Sequence, residues 1–94
     1  MTHSDAFHAL AESLGAARLH FLRVELQVGR TMLDAADHSR GDVDRERRRA
    51  RAQEAHDEVG RHLAKGAELG LTAAQWTELT TGLAVLARRL SDRS

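Results

Sequence analysis

The chain contains no cysteine, no proline and no tyrosine. Without cysteine there is no disulfide framework, no thiol catalysis and no cysteine-ligated zinc or iron–sulfur centre, so stability has to come from packing. Without proline, and with few β-branched residues among abundant alanine, leucine, arginine and glutamate, only glycine and clusters of cap-forming residues can interrupt a helix. Aromatics are almost missing as well: two phenylalanines and one tryptophan leave no series of rings on which bases could stack. Excess charge is also absent. Fourteen basic residues balance fourteen acidic ones, which removes the bulk electrostatic drive toward nucleic acid or an anionic membrane. No apolar run approaches the roughly 18 residues that cross a bilayer. Met1 to Asp5 carry no basic segment leading into an apolar one, so no secretory signal is expected and a cytoplasmic location is predicted.

What remains is 94 residues, 41% hydrophobic and 30% charged, enough for a single small domain over 1–94. Thirteen arginines against one lysine are a composition in keeping with a GC-rich bacterial genome. The predicted class is all-α. Breaks fall at Asp37-His38-Ser39-Arg40-Gly41-Asp42 and between Gly66 and Thr72, giving three helices at about 5–36, 43–65 and 73–90.

In the first helix Phe7, Leu10, Leu14, Ala17, Phe21, Val24 and Val28 follow steps of three and four, the seam of a packed helix. A second stripe, Leu19, Leu22, Leu26 and Leu33, is offset by roughly 100°. Gly15 could host a bend. The second helix has a thin stripe of Ala52, Ala55, Val59 and Leu63, which needs neighbours to be stable. The third opens on Thr72 three residues before Gln75, a capping-box pattern, and continues with Trp76, Leu79, Leu83, Leu86 and Leu90. Trp76 is expected to be the largest buried anchor. At 1.5 Å per residue these helices span about 50, 35 and 27 Å. The first therefore overhangs the others, and an antiparallel three-helix bundle assembled as a helical dimer is predicted. Its interface is expected to use Phe7, Leu10, Leu14, Leu19, Leu22, Leu26 and Leu33.

Polar residues that could carry chemistry are few. Arg45, Arg47, Arg48, Arg49 and Arg51 make five arginines in seven residues, the usual first sign of phosphate or nucleic-acid contact. Six acidic residues between 42 and 58 answer them at helical spacing, so a solvated face of ion pairs is favoured over nucleic-acid binding. Six histidines invite a metal reading, but no glutamate precedes a histidine by three, as helical carboxylate sites require, and no metal or cofactor is predicted. Glu25 points into the apolar arc of the first helix with Arg18 in the same sector, and His56 sits inside the stripe of the second. A hairpin whose facing positions sum to about 80 brings Glu25 and His56 to one level, so a buried polar pair is expected there, joined by Arg18.

The segment His62-Leu63-Ala64-Lys65-Gly66 resembles the His-x-x-Lys-Gly core of histidine phosphotransfer domains, helical bundles that present an exposed phosphoaccepting histidine beside a lysine. The resemblance covers five residues and implies phosphotransfer at His62 with Lys65 alongside. The same Lys65 and Gly66 also read as a last-turn cation and a glycine helix cap. No nucleophile–base set or phosphate loop is visible, and the chain is read as a non-enzymatic interaction or assembly module. Phosphotransfer through His62 and arginine-mediated nucleic-acid binding through 45–51 are the alternatives.

Overall fold

The protein is described by a computed structural model over residues 3–92. Three helices, α1 (His3–Asp37), α2 (Asp42–Leu63) and α3 (Ala73–Ser91), are joined by a short loop and by a segment holding one 3-10 turn, Gly66–Leu69. α1 is unbroken through Gly15. Gly66 and Gly70 both have positive φ, 61° and 66°, the left-handed conformation that ends a helix with little strain only at glycine. Thr72 then starts α3 with the full capping box: its hydroxyl accepts from the Gln75 backbone N–H, and the Gln75 side-chain Oε1 accepts from the Thr72 N–H.

Cross-helix pairs establish the direction of each helix. Arg23 of α1 binds Glu78 of α3, and further along Arg89 of α3 binds Asp34 and Asp37 of α1, so these two helices run parallel. Along α2 the order reverses: Arg48 meets the end of α1, Arg51 meets Glu25, and His62 meets Phe21. The result is an antiparallel α1–α2 hairpin with α3 laid back along α1.

The core is made of leucine and alanine. Leu19, Leu22, Leu26, Leu33 and Ala36 of α1 are buried against Ala52, Ala55, Val59 and Leu63 of α2, Leu69 of the 3-10 turn, and Leu79 and Leu86 of α3. Two glycines let α1 and α3 close up. A Cβ added at Gly29 would lie 2.7 Å from a Leu86 methyl, and one added at Gly82 would lie 3.0 Å from a Leu26 methyl. Each leucine occupies the space left by the glycine opposite.

This core corrects two expectations. Leu19, Leu22, Leu26 and Leu33, predicted as part of an interface between chains, are the chain's own core. The physical reason is packing: Gly29 and Gly82 let α1 and α3 close up on the side of this stripe, which leaves the seam through Leu10 and Leu14 outside. Trp76, predicted as the deepest anchor, is 37% exposed at the head of α3, and Leu79 one turn later is fully buried in its place.

α1 has 35 residues and α2 has 22, so at 1.5 Å per residue α1 is longer by about 20 Å. Of the described side chains ahead of Leu19, none is buried. The Arg18 guanidinium donates to the Glu68 carbonyl, and the bundle ends about one turn earlier along α1, where Glu12 and Gly15 share a hollow with Gly70, Thr72 and Gln75. The N-terminal part of α1 projects past that level, which explains extents of 59 × 19 × 17 Å and a radius of gyration of 16.5 Å. A compact chain of this length would have a radius of gyration of about 12 Å.

Candidate interaction surface

With the leucine stripe turned inward, the seam that begins at Leu10 is left on the surface of α1. Positions 10, 14, 17, 21, 24, 28, 31 and 35 alternate steps of four and three without a break, and they read Leu, Leu, Ala, Phe, Val, Val, Thr, Ala. Four of its apolar members are substantially exposed, Leu10 58%, Leu14 51%, Phe21 39% and Val24 43%, and Val28 is half-buried. The side chain of Phe7, expected in the same seam, lies outside the described residues. On the helical wheel the sector holding these eight positions contains no Asp, Glu, Lys or Arg, and Glu25 and Arg18 flank it on the α2 side. Ahead of Leu19 the core-facing sector of α1 carries Gly15, Glu12 and His8 instead of leucine. The overhang therefore does not continue the core. It continues only the outer seam.

Beside this strip, α1 and α2 form an open groove lined by Phe21, Glu25, Arg51, Glu54, Asp57, Glu58 and Arg61. The Phe21 ring packs on the His62 ring, centroids 5.2 Å apart and tilted by 46°. Glu25 is the most enclosed carboxylate here at 14% side-chain exposure, and its partner is Arg51, 3.3 Å away. Arg61 binds Glu58, and this hydrogen bond holds the Glu58 carboxyl below its ordinary range.

The expected pairing of Glu25 with His56 is not formed. His56 Nδ1 contacts Asp57 at 3.0 Å, a hydrogen bond that, with one from Gln53, keeps the Asp57 carboxyl low. Arg18 is drawn to the Glu68 carbonyl. Glu25 meets Arg51 of α2 instead, and His56 differs from Arg51 in azimuth. Arg51, Glu58 and His62 share the flank of α2 that meets α1. His56 lies on the flank of Arg49, seven residues earlier, which donates to the Leu90 carbonyl of α3.

The arginine run has a structural role that its spacing did not disclose. α1 ends with no basic residue in its last turn. The end is closed first by the residues that follow it, the His38 ring on the Asp34 carbonyl and the Ser39 hydroxyl on the Ala35 carbonyl, and α2 adds to this: Arg48 donates to the Ala35 carbonyl at 3.1 Å and to the Ser39 hydroxyl at 2.6 Å, and Arg45 donates to the Ser39 carbonyl at 2.9 Å. Arg49 reaches the end of α3 in the same way at 3.1 Å. Parallel α1 and α3 place two negative helix ends beside the start of α2, and the guanidinium groups there bring positive charge and further donors to those ends. With Arg51 on Glu25, four of the five arginines have partners within the chain, and Arg47 lies 3.9 Å from Asp44.

His62 sits one residue before the end of α2, its Nδ1 against the Glu58 carbonyl at 2.9 Å, and Gly66 is left-handed three residues past that end. The helix thus stops at the point where the phosphotransfer resemblance would have it continue, and Gly66 begins the 3-10 turn. Among the described residues no group of three His, Asp or Glu side chains could hold a metal ion, and no helix is long and apolar enough to cross a membrane. Comparisons with protein-family models, with curated proteins and with solved structures give no match.

Proposed function

We propose that the protein is a small non-enzymatic assembly module of the bacterial cytoplasm, which associates with a second copy of itself through the outer seam of α1. The observation that carries this reading is the exposed, charge-free strip from Leu10 to Val24, which extends past the end of the chain's own core. A contiguous apolar face of this length is a recurrent mark of a contact surface. A second copy fits it for an electrostatic reason. A two-fold interface sets the same patch against itself, so charges on it meet like charges, and a strip with none avoids that cost. The zero formal net charge of the chain removes the longer-range repulsion between copies.

Burial of Leu10, Leu14, Phe21 and Val24 on both copies engages eight side chains already about half covered. Each contributes on the order of 1 kcal/mol, against roughly 4–15 kcal/mol for the lost freedom of two bodies. Association is accordingly concentration-dependent. Light scattering over a dilution series from low to high micromolar should give a mass rising from one chain toward two or more. Leu10→Glu with Leu14→Glu should hold the mass at one chain while the helical circular dichroism stays near that of the parent. A parent that remains a monomer at high micromolar concentration, or a folded double variant that keeps the parent's mass, would refute the proposal.

A further inference from the structure

Phe21 is the largest described side chain on the α1 strip, and it is bracketed by histidines. His20 is its exposed neighbour on the free side of α1, and His62 of α2 packs on its ring from the other side at 5.2 Å. We infer that self-association through this face is proton-linked, the histidines beside Phe21 bringing charge to a strip that otherwise has none and so dissociating the copies as the medium becomes mildly acidic. The inference rests on the assembly reading above.

The argument begins with what can change charge at this place. The strip itself carries no Asp, Glu, Lys or Arg, and imidazole is the ordinary side chain that gains a proton between about pH 8 and 5. Around His62, α2 supplies Glu58, Arg61 and Lys65, α1 supplies Phe21 with Arg18 and Glu25 one turn to either side, and the 3-10 turn supplies Glu68. Glu58 Oε1 is 3.7 Å from His62 Nδ1 and is kept ionised by its bond from Arg61. In a free chain His62 faces water beside that carboxylate. A chain with a partner over Phe21 has to hold a protonated His62 partly out of water, next to an apolar face. Among the described residues His20 has no hydrogen-bond or ion-pair partner on another element. Arg23, one turn on, is occupied by Glu78 of α3.

The wider distribution acts in the same direction. Residues 1–20 contain His3, His8 and His20 against Asp5, Glu12 and Arg18, so the segment that carries Leu10 and Leu14 goes from −1 to +2 when its histidines are charged. Proton uptake then favours separate copies twice, through lost burial beside Phe21 and through repulsion between two segments of one sign.

Sedimentation equilibrium of the full chain at pH 7.5 and pH 5.5, each at low salt and at about 0.5 M salt, separates these contributions. The expected result is a dissociation constant about tenfold higher at pH 5.5, with a several-fold difference surviving high salt, because the term beside Phe21 is screened less than the long-range one. His20→Gln with His62→Gln should lose most of the salt-resistant part while still forming dimers at pH 7.5. Equal dissociation constants at the two pH values, or a double variant with the parent's full pH dependence at high salt, would overturn the inference and leave the assembly reading intact. A chain that is monomeric at both pH values would overturn both.

Discussion

The close approach of α1 and α3 can be tested with two glycines that differ in one respect. Gly29 and Gly60 both lie inside helices, where replacing glycine by alanine ordinarily stabilises by about 1 kcal/mol through backbone entropy. At Gly60 nothing lies within 4 Å of the added Cβ, so Gly60→Ala should show that gain nearly in full. At Gly29 the Cβ would fall 2.7 and 3.1 Å from the two methyls of Leu86, a side chain with no exposure and little room to turn away. Overpacking a filled core costs typically about 1–3 kcal/mol, so Gly29→Ala should come out between neutral and about 2 kcal/mol destabilising. The two variants should therefore differ by about 1–3 kcal/mol. For a domain of this size that is a gap of roughly 4–8 °C in melting temperature per kcal/mol, easily read by circular dichroism. Shortening the opposing side chain should relieve the conflict: Gly29→Ala should cost less in a Leu86→Val background than in the parent. If both glycine variants raise the melting temperature equally, or if the Leu86→Val background leaves the Gly29→Ala effect unchanged, α1 and α3 do not pack through Gly29.

Leu79→Ala should destabilise by about 2–5 kcal/mol in urea unfolding, and Trp76→Ala by less, because the leucine is fully buried while the tryptophan keeps a third of its surface in water. Arg48→Gln should cost about 1 kcal/mol through the loss of its bonds to the Ala35 carbonyl and the Ser39 hydroxyl, whereas Arg47→Gln should stay within about 0.5 kcal/mol, and thermal melts of the two side by side check the difference. Glu78 has its carboxyl held low, first by the hydrogen bond from Arg23, so its contribution is present above the unfolded value near 4.3 and is lost as pH falls through the folded value. The stability difference between parent and Glu78→Gln should accordingly shrink on acidification from pH 6 to pH 3.

Much of the bundle was legible before any coordinates. The absence of proline, the glycines at 66 and 70, the Thr72–Gln75 box and the mismatch of helix lengths follow from local chemistry, which a linear reading captures. The level of Glu25 against the middle of α2 was also within reach, because antiparallel hairpins pair positions of roughly constant sum. The choice between faces was not. α1 carries two apolar stripes of similar hydrophobicity, and periodicity alone cannot say which one its own neighbours will cover. Gly29 and Gly82 hold the decision. They admit Leu86 and Leu26 on the side of Leu22 and Leu33, and this turns Leu10, Leu14, Phe21 and Val24 outward. The arginine run followed the same division. Its spacing registered charge and local pairing, but the carbonyls that Arg45, Arg48 and Arg49 meet lie at the ends of helices 6–41 residues away. Local sequence determined that there would be three helices and where they would start and stop, because capping and periodicity act over a few residues. Tertiary packing alone decided which stripe became core and which became surface, because that depends on shape complementarity between segments far apart in the chain.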